Sequence, residues 1–207
     1  MFIFGRRRRI NPAHARAAIA TSVEIAGRVS SISGRHIHAW MSVASGEAGT
    51  MLFSTRLDTI DDLTDLFDKV SSDNTYGDWI ESHAGEFDGP ATDTLNQIVH
   101  GTPSGEMPAY VMTTAAELAN GHFADGMALG IAIADAAHRI AGANTVFAKT
   151  VTGSYAGVGW LTPGASLGAL QAFNETLNAS AEWIDLIERA GNVYAPGAQT
   201  TILRRLT

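Results

Sequence analysis

The feature that most constrains this chain is an internal repeat. At an offset of 108 residues, the segment Ile32-Ser33-Gly34 aligns with Ile140-Ala141-Gly142. At an offset of 107, Tyr76 aligns with Trp183, so the alignment needs only short gaps. A constant offset between similar segments is typical of a chain built from two copies of one structural unit. We therefore predict two repeats, at residues 1–101 and 109–207, joined by a Gly- and Pro-containing linker at 102–108.

Each repeat shows the same succession of hydrophobic patterns. In the first repeat we predict a strand at Phe2–Phe4 that continues into the arginines, followed by a helix from Asn11-Pro12 to Ile32. Strand His36–Val43, turn Ser45–Gly49 and strand Thr50–Leu57 come next. A helix after Asp58-Thr59, helix Asn74–Ala84 and strand Thr92–Val99 complete the repeat. In the second repeat we predict Tyr110–Thr114, Ala119–Ala141, Thr145–Thr152, Val158–Thr162, Ser166–Ala190 and Thr200–Leu206.

This order, β-α-β-β-α-β, is that of the ferredoxin-like unit. Its helices cover one face of the sheet, and the other face needs a partner to be removed from water. We therefore predict an α+β protein in which two tandem ferredoxin-like repeats form a pseudo-dimeric α/β barrel. A closed barrel of eight strands is either filled by side chains or holds one small ligand.

The layout resembles the dimeric α/β-barrel superfamily that includes the antibiotic biosynthesis monooxygenases. The likeness rests on Asn11-Pro12-Ala13, the hairpin segment 48–53, the helix 73–80 with Tyr76 and Trp79, and their second-half counterparts at 156–160 and 182–183. It extends over nearly the whole chain. It implies an enzyme of a superfamily whose members are cofactor-free oxygenases, haem-degrading oxygenases, other haem enzymes, isomerases and lyases, together with proteins without known chemistry.

The strand at 36–43 contains the main candidate catalytic residues. Its period of two places His36, His38 and Trp40 on one face, which we expect to line the barrel interior. We predict that His38 acts as a general base, while His36 and Trp40 contact a planar substrate. The alternative is an exposed strand end or a hydrogen-bonded polar core. No third ligand accompanies the two histidines at a suitable spacing, so we predict no metal site.

Three further residues are candidates for substrate binding. Arg6 and Arg8 leave the first strand on one face, where a guanidinium would suit a carboxylate or enolate. The alternative is a solvated strand end paired with acidic residues. His83 closes the helix that carries Tyr76 and Trp79, although a cation at a helix C-terminus is also favourable for electrostatic reasons alone.

Composition excludes several classes of protein. The chain has 207 residues, a formal charge of -7 and no cysteine, which rules out thiol catalysis and makes an extended nucleic-acid surface unexpected. Its apolar stretches are too short to cross a bilayer, and its N-terminus places arginines after the apolar residues, the reverse of a secretory signal. We expect a cytoplasmic protein with no nucleic-acid or membrane partner, and homodimerisation remains open.

Our leading hypothesis is a cofactor-independent monooxygenase-like enzyme that acts on a planar apolar metabolite. A haem-binding or haem-using barrel enzyme is the first alternative. The second is a noncatalytic ligand-binding or assembly module whose interior is filled by Phe53, Phe147 and Trp160.

Overall fold

A computed structural model describes residues 1–43, 48–103 and 105–207. Over these residues it has eight strands, six α-helices and two short 3-10 helices, at Pro12–His14 and Ala84–Glu86. The strands and α-helices are β1 Phe2–Ile10, α1 Ala15–Ser33, β2 His38–Val43, β3 Thr50–Leu57, α2 Asp61–Ser71, α3 Asn74–Ser82, β4 Phe87–His100, β5 Tyr110–Glu117, α4 Phe123–Ala141, β6 Val146–Thr152, β7 Gly157–Gly164, α5 Leu167–Asn178, α6 Ala181–Ala190 and β8 Gln199–Arg205.

The chain divides into two compact units. Unit 1 comprises Met1–Leu95 with Arg204–Thr207, and unit 2 comprises Asn96–Leu203. The strands follow the order β1-β3-β2-β8-β5-β7-β6-β4 and close a barrel. The predicted fold class is therefore confirmed: this is an α+β, pseudo-dimeric barrel of two tandem ferredoxin-like repeats.

In unit 1, one face of the sheet packs against the helices. Met51 and Phe53 of β3 lie in a core cluster with residues of α1 and α2. The antiparallel pairing of β1 with β3 sets Arg6 opposite Phe53 and Arg8 opposite Met51. Directly opposed residues of a strand pair point to the same face, so both arginines lie on the helix side of the sheet.

Unit 2 repeats this arrangement with different side chains. Thr114 of β5 lies opposite Trp160 of β7, which in turn lies opposite Phe147 of β6. The pair Thr114 and Trp160 corresponds to the pair Arg6 and Phe53 of unit 1 at the offsets of 108 and 107 found in the sequence. The same offsets therefore relate both the amino-acid sequences and the strand registers of the two units.

The helix ends also correspond. Helices α1 and α4 each have 19 residues and end at a glycine in the left-handed conformation, Gly34 at φ 73° and Gly142 at φ 71°. Glycine suits both sites because it adopts positive φ without steric cost. At the start of α6, Ser180 accepts a hydrogen bond from the main-chain N–H of Trp183, as Asp73 does from Tyr76 at the start of α3.

Some predicted boundaries differ from the observed ones. The segment Ser166–Ala190, predicted as one helix, forms α5 and α6, because Ser180 caps a new helix. Strand β4 begins at Phe87, five residues before the predicted start. Of the predicted turn Ser45–Gly49, residues 45–47 lie outside the described residues, as does Ser104 of the predicted linker.

Candidate ligand-binding site

Unit 2 contains a cavity of about 730 Å³ on the helix side of its sheet. Strands β5 and β7 form its floor, helices α4, α5 and α6 form its walls, and exposed residues of the segment 196–200 border its mouth. The larger apolar and aromatic side chains of the lining are Met112, Ile133, Trp160, Phe173, Leu177, Trp183, Ile187 and Tyr194. Ligand cavities of proteins are typically about 300–1,000 Å³ and mostly apolar, so its size and composition suit a small molecule.

Two aromatic side chains of the cavity are held by hydrogen bonds to helix α4. Trp160 Nε1 donates to the carbonyl oxygen of Gly130 at 2.9 Å, and the Tyr194 hydroxyl donates to that of Gly126 at 2.6 Å. Their rings meet edge to face, with centroids 5.4 Å apart. Because the polar atoms of both side chains are already bonded to the main chain, these rings present mainly apolar surface to a ligand.

The polar groups of the lining are uncharged. Thr114 Oγ1 and Thr200 Oγ1 lie 3.1 Å apart, and Thr145 Oγ1 and Thr162 Oγ1 lie 3.0 Å apart. Either hydroxyl of each pair can be the donor, so each pair can offer a ligand a donor or an acceptor. Asn174 is the remaining polar side chain, and its Nδ2 lies 3.6 Å from the sulfur of Met112.

Within the described part of the chain, the lining has one titratable side chain, that of Tyr194. Burial raises the pKa of this phenol well above its ordinary value, so it stays protonated at neutral pH. The cavity therefore contains neither a carboxylate nor an imidazole that could serve as a general base.

The lining does not fit the haem that the fold family suggests. Haem iron takes a histidine, a thiolate or a tyrosinate as its protein ligand. Among the described residues, no histidine borders the cavity, and the chain has no cysteine. Tyr194 donates its hydroxyl proton to Gly126, and its raised pKa disfavours the phenolate.

The predicted residues His36, His38 and Trp40 lie together in unit 1. The rings of His36 and His38 are stacked at 6.5 Å, and those of His38 and Trp40 are 6.3 Å apart. Trp40 is 3% exposed and donates from Nε1 to Ser54 Oγ at 2.8 Å. The register sets His38 opposite Ser54, on the face of the sheet that points away from the helices of unit 1.

The surroundings of His38 favour its neutral imidazole, the form that can act as a base. Burial lowers the pKa of its imidazole, and the positive charge of Arg205 and the neighbouring His36 lower it further. The main chain at Thr207 partly offsets this by a hydrogen bond. The ring is therefore neutral at physiological pH and able to accept a proton. Its catalytic role stays a prediction.

The other predicted residues lie on the opposite face of the sheet. Arg6 forms two hydrogen bonds of 2.8 Å with Asp93. The guanidinium of Arg8 lies over the ring of Phe87, 4.6 Å from its centroid. His83 follows α3, where its Nδ1 lies 2.8 Å from the carbonyl oxygen of Trp79. The structure therefore does not bring Arg6 and Arg8 to the face that carries His38.

Sequence reasoning missed the cavity of unit 2. It assigned Phe53, Phe147 and Trp160 to the barrel interior, whereas all three belong to the cores between sheet and helices. A comparison of matched positions in the two repeats could have revealed the cavity. At the offset of 108, the small residues Thr114 and Ala116 stand where the first repeat has Arg6 and Arg8. Smaller side chains at matched inward positions leave room in one copy of the fold.

Two kinds of feature, a membrane-spanning helix and a cluster of metal ligands, are absent from the described residues. None of the helices combines the length and apolar composition needed to cross a bilayer, within the part of the chain that the structure describes. In the same residues, no group of three or more histidine and acidic side chains is placed to hold a metal ion.

Comparison with known proteins identifies the fold through solved structures. No family model and no curated protein matches the chain. A proposed monooxygenase from Fusobacterium nucleatum superposes with a TM-score of 0.73 at 7% identity, covering 100% of this chain and 92% of that one. An anthrone oxidase-like protein gives 0.67 at 12% identity, covering 100% and 91%. A chlorite dismutase mutant from Candidatus Nitrospira defluvii gives 0.54 at 10% identity, covering 97% and 90%. The chain thus has the dimeric α/β-barrel fold of these solved structures.

Proposed function

We propose that the chain is a small-molecule enzyme of the monooxygenase-like type and that the unit 2 cavity binds its substrate. The observation that carries this proposal is the cavity of about 730 Å³ walled by the rings of Trp160, Trp183 and Tyr194. Aromatic walls favour a flat, largely apolar guest that can stack or pack edge to face against them. The Thr114 and Thr200 hydroxyls would bind an oxygen of that guest near the mouth.

The proposed substrate is neutral when it binds. A charged group in this lining would lose its hydration without gaining an opposite charge, which is costly. A neutral polycyclic ketone or phenol has no such penalty, and its oxygen can accept a hydrogen bond from a threonine. An anthrone, the compound class in the name of one structural neighbour, has this flat shape and a single carbonyl oxygen.

The proposed reaction needs no bound cofactor, because the substrate itself supplies the electrons. A methylene group between two aromatic rings loses a proton, and the resulting carbanion reacts with dioxygen. One oxygen atom becomes the new carbonyl oxygen, and the other leaves as water with the two hydrogens of the methylene group. The described lining of the cavity has no carboxylate or imidazole, so for a substrate bound there the proton would pass to water at the mouth. His38 lies in unit 1 and would be the proton acceptor only for a substrate bound on the face of the sheet that carries it.

The test combines binding and oxygen uptake. Anthrone and its product anthraquinone would be titrated into the purified protein by tryptophan fluorescence, and dioxygen consumption would be followed with anthrone. We expect saturable binding and formation of anthraquinone faster than in buffer. The double variant Thr114→Arg, Thr200→Asp would place in the cavity the ion pair that Arg6 and Asp93 form in unit 1, and we expect it to abolish binding.

The matched control is Thr114→Val, Thr200→Val, which preserves the shape and removes only the hydroxyls. We expect this variant to bind the ring system with reduced affinity. If neither anthrone nor anthraquinone binds, the cavity is not the substrate site. The same conclusion follows if the filled variant, Thr114→Arg with Thr200→Asp, binds them as well as the wild type does. Unchanged turnover by His38→Ala would remove His38 as the base.

A noncatalytic ligand-binding protein is the second candidate, and one observation favours it. The described lining offers no charged acid or base to a bound molecule. Binding of anthraquinone without accelerated dioxygen consumption by anthrone would support this function over the enzyme.

A further inference from the structure

We propose that unit 1 contains a second, chemically different site, which binds an aromatic oxyanion such as a carboxylate or a phosphate ester through Arg8 and Arg28. This site lies on the helix side of the sheet, beside the ion pair of Arg6 and Asp93, which takes the place that Thr114 and Thr200 have in the unit 2 cavity. Arg6 and Arg8 occupy the places of Thr114 and Ala116. The two units would thus carry their sites on the same face of the sheet but accept ligands of different charge.

Three guanidinium groups act electrostatically on one phenol at this position. Arg6, Arg8 and Arg28 each act on Tyr76 by lowering its pKa, although the larger effect of burial raises it overall. Arg6 is neutralised by its two hydrogen bonds to Asp93. Arg28 has a looser contact, 3.7 Å to Glu24 one helical turn earlier. The positive charge of the cluster is therefore only partly compensated, in a chain whose formal charge is -7.

Arg8 is the least satisfied member. Among residues 1–43, 48–103 and 105–207, its Nε is one of the buried side-chain atoms without a hydrogen-bond partner. Burial and the neighbouring charge of Arg6 lower the pKa of Arg8, Tyr76 partly offsets this, and no carboxylate of the described residues contributes to stabilising its charge. A buried donor left unpaired is costly, and an oxyanion accepting from this guanidinium would remove that cost.

The rings around the cluster favour an aromatic ligand. The Arg28 guanidinium lies over the ring of Trp79, 4.2 Å from its centroid, and that of Arg6 lies over Phe67 at 5.4 Å. Tyr76 and Trp79 have their centroids 6.1 Å apart. Guanidinium groups stacked on rings keep their in-plane donors free for an anion, while the same rings pack against the hydrocarbon part of a ligand.

The experiment is calorimetric titration of the full chain with three probes of similar size: benzoate, phenyl phosphate and neutral benzamide. We expect at least one anion to bind and benzamide not to bind, and the preferred anion distinguishes a carboxylate from a phosphate ligand. Arg8→Met should weaken the binding of that anion about tenfold, the effect of losing one charge-assisted hydrogen bond. The affinity of Arg8→Lys for that anion should lie between those of the wild type and Arg8→Met, because lysine keeps the positive charge but lacks the planar guanidinium group.

Arg9→Met is the matched control, since Arg9 is exposed and the alternation of β1 turns it to the other face. It removes the same charge and should leave the affinity unchanged. Equal weakening by Arg8→Met and Arg9→Met would overturn the proposal, because it would indicate only long-range attraction. Absence of binding by both anions, or equal binding of benzamide, would overturn it as well.

The filled unit 2 variant Thr114→Arg, Thr200→Asp separates this inference from the proposed function. We expect it to lose anthraquinone binding and to keep anion binding. If anion binding disappears with the filled cavity, the anion binds in unit 2 and the unit 1 site is refuted. Circular dichroism of each variant checks that it is folded.

Discussion

The substitution Gly130→Ala tests whether the unit 2 core is packed as tightly as the structure indicates. Gly130 lies inside α4, directly above the ring of Phe147, which is fully buried. A Cβ atom at this position would lie 2.5 Å from Cε2 of that ring, 2.7 Å from Cε1 and closer still to Cζ. Real Cβ contacts almost never fall below 3.0 Å, so the ring or the helix would have to move.

Two opposing effects determine the result. Alanine is favoured over glycine inside a helix by about 1 kcal/mol. Forcing an additional methyl group into a close-packed core costs about 1–3 kcal/mol. Moving α4 would also strain the hydrogen bond from Trp160 Nε1 to the carbonyl oxygen of Gly130, a further cost of about 1 kcal/mol. We therefore expect Gly130→Ala to lower the free energy of unfolding by about 1–3 kcal/mol.

Gly27→Ala is the control, because Gly27 lies inside α1 with nothing within 4 Å of its added Cβ. We expect this variant to gain about 0.5–1 kcal/mol from helix propensity and lower unfolded-state entropy. Urea denaturation followed by circular dichroism would measure both. If Gly130→Ala is as stable as Gly27→Ala, the packing argument is wrong. Adding Phe147→Leu to Gly130→Ala should recover part of the loss, since the two changes act on one contact.

Three further predictions concern single hydrogen bonds and charges. Tyr194→Phe should cost about 1 kcal/mol in urea denaturation, because it removes the hydrogen bond to the Gly126 carbonyl. His38 has a folded-state pKa below 6.5, so the unfolded chain binds more protons, and stability should fall as the pH drops below 6.5; His38→Gln should flatten this dependence of the urea midpoint. Asp93→Asn should cost about 0.5 kcal/mol or less in thermal or urea unfolding, since the Arg6 and Asp93 side chains are 42% and 38% exposed.

The first two of these have a matched control. Tyr155 is fully exposed, so Tyr155→Phe should leave stability unchanged. His14 is exposed in the 3-10 helix before α1, and His14→Gln is the same substitution at an exposed site, to be compared with His38→Gln. A profile unaffected by His38→Gln would contradict the assigned effect of burial. A loss of several kcal/mol in Asp93→Asn would show that this ion pair is far better shielded from water than its exposure indicates.

Local patterns were sufficient to predict most of the secondary structure. The alternation at 50–57 predicts β3 with its observed bounds, because one face of that strand is buried and a period of two follows directly. The helix predicted from Ala119 instead begins at Phe123. The main-chain N–H groups of Leu118 and Ala119 donate to Ala156 and Val193, distant residues that no local pattern indicates.

Strand β4 illustrates the same limit. The predicted start at Thr92 lies just after the pair Gly89-Pro90, and such a pair favours a turn. The structure carries the strand through this pair, with Gly89 at φ 66°. Glycine and proline are tolerated at irregular points of a strand, so these residues predict a break only where no neighbouring strand needs the pairing.

The candidate site was harder to predict, because it depends on which face of each strand meets the helices. Alternation correctly placed His38 with Trp40, and Arg6 with Arg8, on shared faces of their own strands. It could not relate β1 to β2, since their relative register is set through β3 by residues tens of positions apart in sequence. An error of one residue in such a register exchanges the two faces of a strand.

The comparison between the units explains why one fold can hold two kinds of site. The strand registers and helix caps of the two units correspond at offsets of 107 and 108, and these contacts lie in the main chain or at helix ends. The inward positions vary independently: Arg6 with Asp93 in one unit corresponds to Thr114 with Thr200 in the other. The first pair joins β1 to β4 and the second joins the corresponding strands β5 and β8, so either kind of side-chain pair is compatible with the main-chain arrangement. The repeat therefore constrains the position of a site and leaves its charge free to diverge.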